Sequence, residues 1–270
     1  MHGYEYEYSD RISFSRCDTN NRLSLTSLID AFQDASIFQS EDAGVGMKML
    51  RSHSLLWVIN YWEIEIEHMP GLCDRVTVGT YPYDFKSFLG FRNFYLKDEE
   101  GNYIVRANTT WTMIDTDKMA PARAPEYIIN AYSLGDKLDM TYSPRKILLP
   151  SGNDCEAVHM DERVVMLHHL DANMHVNNCQ YINYALAAID SDLPVNAAQD
   201  GNENPGSGNS GMEICRLRAD YRLQAHLNDK IYPVVYKNGL NRTVVLNNEE
   251  GKPYSVVSVD YRQGPKGIQI

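Results

Sequence analysis

Apolar residues recur at helical spacing in two segments of the chain. Residues 24–43 are predicted to form a helix that ends at Gly44 and Gly46. A second helix follows Asn177 or Asn178, and either residue can serve as its N-cap. The apolar faces consist of Leu25, Leu28, Ile29 and Phe32 in the first helix, and of Tyr181, Ile182, Ala185, Leu186 and Ile189 in the second.

Strand patterns lie on both sides of the first helix. Residues 62–67 alternate strictly between apolar and acidic side chains, which predicts a strand with one buried and one wet face. Residues 98–102 have the composition of a turn between antiparallel strands. The other predicted strands of this half are 4–8, 76–81, 88–96 and 103–114. One long helix with several antiparallel strands favours an α+β class, in which a sheet wraps around a central helix.

An internal repeat relates the two halves of the chain. The motif Asp18-x-Asn20-x-Arg22 precedes the first helix. The motif Asp171-x-Asn173-x-His175 precedes the second, 153 positions later. Further along, Asp74-Arg75-Val76 is echoed by Asp229-Lys230-Ile231. A duplicated helix-plus-sheet domain follows from this repeat, and the exchange of Arg for His suggests that only one copy carries the chemistry.

The repeat predicts three parts of the chain. Residues 1–135 form the first domain and residues 156–270 the second. Residues 136–155, which include Pro144 and Pro150, form a linker. Residues 195–211 are rich in Gly, Asn, Ser and Pro, and we expect a mobile loop there between the helix and the sheet of the second domain.

Composition and charge exclude several classes of function. The net charge of −11 makes nucleic acid and anionic membranes poor partners. No apolar run approaches the length of a membrane span and no signal peptide is recognisable, so a cytoplasmic protein is expected. Five cysteines without a Cys-x-x-Cys motif argue against both a disulfide framework and a zinc site. We expect neither a metal ion nor a cofactor.

Three polar side chains form the candidate catalytic site. If the backbone is extended, the spacing of Asp171, Asn173 and His175 puts them on one side of the chain. The helix N-terminus that follows offers N–H groups and a dipole that favour developing negative charge. A carboxylate, an amide and an imidazole at such a place suit acyl chemistry. Ordinary roles in a turn and a helix cap are the alternative.

The motif Asp171-x-Asn173-x-His175-Val176-Asn177-Asn178, followed by a helix, resembles that of acyl-acyl-carrier-protein (acyl-ACP) thioesterases. The segments 18–24 and 220–222 also resemble this family, so the resemblance covers nearly the whole chain. It implies two tandem hotdog domains, each an antiparallel sheet wrapped around a central helix. It also implies hydrolysis of fatty acyl-ACP to free fatty acid and holo-ACP in fatty acid biosynthesis. The His-Val-Asn-Asn text alone also occurs in single-domain acyl-CoA thioesterases, and the duplication favours the acyl-ACP family.

The resemblance also implies a fourth catalytic residue, an acidic one on the strand after the helix. The family pattern Glu-Tyr-Arg-Arg-Glu-Cys matches residues 220–225, so Gln224 stands at the acidic position and Ala225 at that of the cysteine. A cysteine nucleophile is therefore not expected. Gln224 could orient water, but it cannot take a proton near neutral pH.

Roles for the other three residues follow from thioester chemistry. A thiolate leaves readily, so the site must activate water and stabilise the oxyanion. Asp171 or His175 is expected to be the general base or to orient the water, with Asp171 the better candidate for the base. Asn173, with N–H groups of the helix N-terminus, is expected to hold the carbonyl oxygen.

The first half is then expected to bind the acyl chain, with Phe32, Trp57 and Ile59 lining the tunnel. The implied partner is an acyl carrier protein bearing a fatty acyl chain. Because that carrier is acidic, its binding would need a local basic patch on this acidic chain. The candidates for the patch, which structural salt bridges would explain equally well, are Arg216, Arg218 and Arg222. A monomer (a pseudo-dimer of hotdog domains) or a homodimer is expected.

Three other functions stay open at the level of sequence. An acyl-CoA thioesterase would differ only in the carrier. A hotdog hydratase or dehydratase would use the same His with an acidic partner on a β-hydroxyacyl or enoyl thioester. A non-enzymatic acyl-thioester sensor would need an output module such as a basic DNA-binding segment, and the sequence contains none.

Overall fold

Each half of the computed structural model is an antiparallel sheet packed against one long helix. The structure describes residues 5–151, 155–171, 173–191 and 212–264. The chain divides into two compact units, Met1–Cys17 with Arg22–Ser143 and Asp18–Asn21 with Pro144–Ile270. The boundary between Ser143 and Pro144 falls inside the predicted linker. The loop predicted at residues 195–211 lies outside the described residues.

The first unit is built around helix α1, Leu25–Asp42, as the apolar spacing predicts. Its elements are β1 (Tyr6–Arg11), α1, α2 (Met47–Ser52), β2 (Leu55–Ile66), β3 (Arg75–Lys86), β4 (Leu89–Lys97), β5 (Tyr103–Asp115), β6 (Ala120–Pro121) and α3 (Glu126–Ile129). The main sheet has the order β1-β3-β4-β5-β2, and all its neighbouring strands are antiparallel. α1 packs against β1 and β3.

The second unit repeats this arrangement around helix α4, Asn178–Ser191. Its strands are β7 (Glu156–His159), β8 (Arg163–Val164), β9 (Met212–Tyr221), β10 (Lys230–Asn238), β11 (Asn241–Asn247) and β12 (Pro253–Gln263). The sheet runs β9-β12-β11-β10-β7 with antiparallel neighbours, and β8 pairs with β10. α4 packs against β10, β11 and β12. The predicted α+β class, with one helix and one antiparallel sheet in each half, is confirmed.

Residues at the two ends of helix α1 determine where it begins and ends. The Ser24 hydroxyl accepts the N–H of Ser27 at 3.2 Å, which caps the first turn. Gly44 ends the helix in a left-handed conformation (φ +73°) that residues with a Cβ rarely adopt. Gly46 was also expected to end α1, but it is the N-cap residue of the short α2. The buried face of α1 includes Phe32, whose ring lies 5.3 Å from that of Phe94 in the sheet.

One exposure prediction for β2 is wrong. The alternation put the Glu63 side chain in water, but Glu63 is fully buried. Its Oε2 accepts the N–H of Ser143 at 2.8 Å and the Tyr61 hydroxyl at 3.3 Å. Thr141 likewise donates its N–H to Glu65 Oε1 at 3.0 Å. A later chain segment covers the acidic face of the strand, and its backbone N–H groups compensate for the lost water.

The close approach of Gly79 to the Tyr95 ring allows a test of the packing in the first sheet. A Cβ on Gly79 would overlap the ring of Tyr95, which is fully buried and donates its hydroxyl to Glu7 Oε1 at 2.7 Å. We expect Gly79→Ala to lower the free energy of unfolding by about 1–3 kcal/mol, because the ring cannot move aside without strain. Urea denaturation of the full chain measures this loss.

Gly90→Ala is the matched control, since its Cβ would meet Trp57 and Phe85 no closer than 3.1 Å. A smaller loss is expected there. Equal stability of Gly79→Ala and the wild type would contradict the packing described for Tyr95.

Candidate active site

The internal repeat is also a repeat of local structure. A 3-10 turn precedes each central helix, at Phe14–Arg16 and at Leu167–His169. Between turn and helix, residues 17–23 and 170–176 form what we call the helix-entry loops. Equivalent features are the backbone bridges Cys17–Leu23 and Leu170–Val176, and the positive φ angles of Asn21 (57°) and Met174 (61°). The offset of 153 positions therefore relates geometry as well as sequence.

Asp171 holds the second helix-entry loop together. Its Oδ1 accepts the backbone N–H of Asn173 at 2.7 Å and that of His175 at 3.3 Å. Its Oδ2 accepts the Asn173 side-chain amide at 3.4 Å. The structure thus brings together three of the predicted site residues, all of them half-buried.

The backbone of this loop differs from the extended chain considered at the sequence level. Met174 donates its N–H to the Asp171 carbonyl at 3.0 Å, and Asp171 donates its N–H to the His175 carbonyl at 2.8 Å. These hydrogen bonds make a tight turn. The Asp171 carboxylate therefore meets the Asn173 amide and the backbone of His175 because it caps its own turn, and the alternation of a strand is not the cause.

The site lies at the N-terminus of α4, which the sequence predicted. Asn177 is the N-cap residue, since its Oδ1 accepts the N–H of Cys179 at 3.1 Å. The Tyr221 hydroxyl donates to the Asn178 carbonyl at 2.9 Å. The Tyr181 hydroxyl accepts the N–H of Ala225 at 2.9 Å, and burial raises the pKa of Tyr181. The first turn of α4 is therefore tied both to the end of β9 and to the segment after it.

The segment after β9 contributes a residue that the sequence analysis did not single out. The ring of His226 lies 5.3 Å from the ring of His175, centroid to centroid, at an angle of 66°. The backbone N–H of His226 donates to Asp229 Oδ2 at 2.8 Å, and the imidazole Nδ1 lies 3.7 Å from the same oxygen. The only sequence signal was the spacing His226-x-x-Asp229, just after the segment that resembles the family pattern.

Tyr254 completes this group. Its hydroxyl donates to Asp229 Oδ2 at 3.1 Å. Burial, with added effects of the Asp229 hydrogen bond and charge, raises the pKa of Tyr254 to about 12. The phenol therefore keeps its proton and remains a donor to the carboxylate near neutral pH.

Gln224, the residue at the predicted acidic position, lies in the segment after β9. Its side chain is exposed and makes no hydrogen bond to another residue in the described part of the chain. A catalytic role for Gln224 stays a prediction.

A second histidine beside the site has a defined protonation. The Nδ1 atom of His169 accepts the backbone N–H of Met166 at 2.9 Å and contacts the Tyr184 hydroxyl at 2.6 Å. Burial, and then the neighbouring His168, lower the pKa of His169, while burial raises the pKa of Tyr184 to about 12. His169 is therefore neutral near pH 7, with its proton on Nε2 because a backbone N–H can only donate to Nδ1.

The residues predicted to line the acyl tunnel belong to the first unit. Phe32 and Ile59 are fully buried in its core, and Trp57 is half-buried, with its ring 6.0 Å from that of Phe85. This environment is apolar, but the tunnel role itself stays a prediction.

The three arginines proposed for a basic patch all have partners, and those of Arg218 and Arg222 lie in the second unit. Arg222 Nε donates to Asp220 Oδ2 at 2.9 Å, and Arg218 Nη2 donates to the Pro144 carbonyl at 2.7 Å. Arg216 also has a partner. For Arg222 the ion pair favours the structural interpretation that the sequence left open.

Metal sites, disulfides and membrane-spanning helices were the classes of feature not expected from the sequence. Within the described ranges, no group of three or more His, Cys, Asp and Glu side chains is arranged to hold a metal ion. The five cysteines all lie in these ranges as free thiols. None of the described helices is both long enough and apolar enough to cross a membrane.

Known proteins resemble this chain along most of its length. Residues 3–132 match the family model of the acyl-ACP thioesterase N-terminal domain. The chloroplastic acyl-(acyl-carrier-protein) hydrolase FATB3 of Cuphea viscosissima is 22% identical over 245 residues, which are 82% of this chain and 52% of that protein. The chain therefore spans about half the length of this curated relative.

Two thioesterases of known structure have the same fold. An acyl-ACP thioesterase from Bacteroides thetaiotaomicron is 20% identical, with a TM-score of 0.78 over 96% of this chain and 98% of that one. The 12:0-ACP thioesterase from Umbellularia californica is 16% identical, with a TM-score of 0.76 over 97% and 99%. These likenesses confirm the predicted fold of two tandem hotdog domains. Together with the matched N-terminal domain and the plant relative, they make the chain similar to the acyl-ACP thioesterase family in sequence and in fold.

Proposed function

We propose that this chain hydrolyses fatty acyl-ACP thioesters to free fatty acid and holo-ACP, as a step of fatty acid biosynthesis. The observation that carries the proposal is the helix-entry loop of the second unit in a chain similar to this family. There the Asp171 carboxylate holds Asn173 and His175 at the N-terminus of α4. The name of the plant relative, an acyl-(acyl-carrier-protein) hydrolase, supports the same reaction.

In the proposed mechanism, His175 acts as the general base. Its imidazole takes a proton from water, and the resulting hydroxide attacks the carbonyl carbon of the thioester. The carbonyl oxygen becomes an oxyanion, which the Asn173 amide and N–H groups of the first turn of α4 stabilise. The C–S bond then breaks. Its electron pair leaves with sulfur, and His175 returns the proton to the thiolate, which gives holo-ACP and free fatty acid.

We assign Asp171 to positioning. Its carboxylate already accepts three hydrogen bonds within the loop, two from backbone N–H groups and one from the Asn173 amide. Taking a proton would weaken the bonds that fix the other two residues. An imidazole is also the side chain best suited to proton transfer near neutral pH. These arguments favour His175 over Asp171 as the base.

The first unit binds the acyl chain in this proposal, with Phe32, Trp57 and Ile59 as lining residues. Their apolar, largely buried surroundings suit a hydrocarbon chain. Trp57 is the best of the three for mutagenesis because it is half-buried. Truncating the fully buried Phe32 would also unfold part of the core. A cytoplasmic location and a monomeric or homodimeric state stay predictions.

The carrier is tested first. Purified protein is incubated with matched acyl-ACPs and acyl-CoAs, and the release of free thiol is followed. We expect faster turnover of the ACP esters, because the family is defined by that carrier. Equal or faster turnover of CoA esters would keep the thioesterase and overturn the carrier. Absence of thiol release from both would contradict the proposed function, and hydration of an enoyl thioester would then indicate a hydratase.

The site residues are tested by substitution. We expect His175→Ala and Asp171→Asn each to lower turnover at least about tenfold. The first removes the base. The second keeps an oxygen for the two backbone N–H groups, but it removes the negative charge. It also places an amide NH2 group opposite the NH2 group of Asn173, so that hydrogen bond is lost. Initial rates at saturating substrate measure both losses.

Asp18→Asn is the matched control, because Asp18 occupies the equivalent position in the first copy and accepts the N–H of Asn20 at 2.8 Å. Turnover by this variant should stay close to that of the wild type. Wild-type rates in folded His175→Ala would remove His175 from the mechanism, and an equal loss in Asp18→Asn would reduce Asp171 to a folding role.

A further inference from the structure

The backbone that carries His226 occurs twice in the chain. We call residues 70–74 and 225–229 the return loops, because each leads from one strand of its sheet back into another, from β2 to β3 and from β9 to β10. In the first, the N–H of Gly71 donates to Asp74 Oδ2 at 2.7 Å. In the second, the N–H of His226 donates to Asp229 Oδ2 at 2.8 Å. The residues with positive φ also correspond, Cys73 at 73° and Asn228 at 70°.

The anchoring of the two return loops is the same as well. Each loop pairs with the strand-like segment before the 3-10 turn through two backbone hydrogen bonds, and with the helix-entry loop through one more. All acceptors are backbone carbonyls, and all distances lie between 2.9 and 3.1 Å. The equivalent pairs, each given as N–H donor and carbonyl acceptor, are Ile12–Asp74 and Val165–Asp229, Cys73–Ile12 and Asn228–Val165, and Leu23–Pro70 and Val176–Ala225.

The fold of the return loop does not depend on the side chain at position 226. A glycine at the equivalent position, Gly71, makes the same backbone hydrogen bond, so the scaffold does not need an imidazole there. The His226 side chain is 60% exposed, so burial of apolar area does not explain it either. Its described neighbours are the carboxylate of Asp229 and the ring of His175.

The positions of the two histidines explain why their rings meet. In the first copy the equivalent residues, Arg22 and Gly71, are joined by a backbone bridge. Residues paired in this way place their side chains side by side. The second copy has an imidazole at both positions, and the first copy has one at neither.

We propose that His226 is the positioning residue for His175 in the hydrolysis of the thioester, a role that rests on the proposed function. A histidine that moves protons needs a third group to fix its ring. The exposed Gln224 side chain makes no hydrogen bond within the described ranges, whereas the His226 ring stands edge to face against His175. His226 is itself held by Asp229, whose carboxylate is fixed by the His226 N–H and by the Tyr254 hydroxyl. The Asp229 carboxylate is thus linked to His175, the proposed base, through the ring of His226.

The first test is His226→Gly, a change that the equivalent Gly71 shows to be compatible with the backbone. We expect kcat for the acyl thioester to fall at least about tenfold. KM should stay within roughly twofold, because the positioned base acts in the transition state. Added imidazole should restore part of kcat, which it would not do for a purely structural defect.

His168→Ser is the matched control. Its ring stands edge to face against that of His169, with 4.1 Å between the centroids, and the equivalent residue of the first copy is Ser15. This variant should keep the kcat and KM of the wild type. An equal loss in His168→Ser and His226→Gly would overturn the proposal, since any exposed histidine of this surface would then matter.

The second test follows the His175 ring directly. Carbon-13 relaxation of the histidine ring carbons should show a more mobile His175 ring in His226→Gly than in the wild type. The proposal requires both the loss of kcat and the gain in ring mobility, and the absence of either overturns it. A wild-type protein without thioesterase activity would instead refute the proposed function, before any variant is compared.

Discussion

A carboxylate that caps its own turn is the interaction on which the rest of this molecule depends. Asp171 accepts two backbone N–H groups of the helix-entry loop, and Asp18 accepts the N–H of Asn20 in the other copy. The turn fixes where each central helix begins, and each sheet packs on that helix. A second carboxylate turn, made by Asp74 or Asp229, fixes the return loop beside it. Four aspartates thus set the geometry of the two helix N-termini.

Duplication of this scaffold explains how one copy can carry chemistry that the other lacks. Equivalent backbone hydrogen bonds anchor the loops of both copies, so side chains at equivalent positions can change without loss of the fold. Arg16 and Ala31 of the first copy stand where the second has His169 and Tyr184, which contact each other at 2.6 Å. Three of the four histidines around the α4 N-terminus, His169, His175 and His226, correspond to Arg, Arg and Gly. The imidazoles are therefore additions to a shared frame.

The sequence also predicted much of this frame correctly. Helical spacing located α1 and α4, and strict alternation located β2, because both patterns reflect burial on one face of a single element. The repeat at 153 positions identified the two helix-entry loops, since local hydrogen bonds follow from local sequence. Asp171, Asn173 and His175 were found together for the same reason: one short loop contains all three.

Features that depend on contacts between distant segments were decided only by the tertiary structure. Glu63 is buried because residues 141–143 cover its strand, and the sequence of the strand alone does not predict this contact. His226 meets His175 across 50 intervening residues, through pairing of two loops. Gln224, two residues before His226, points into solvent. Periodicity and capping are properties of neighbouring residues, so the sequence determined the elements, whereas the partners of each side chain required the fold.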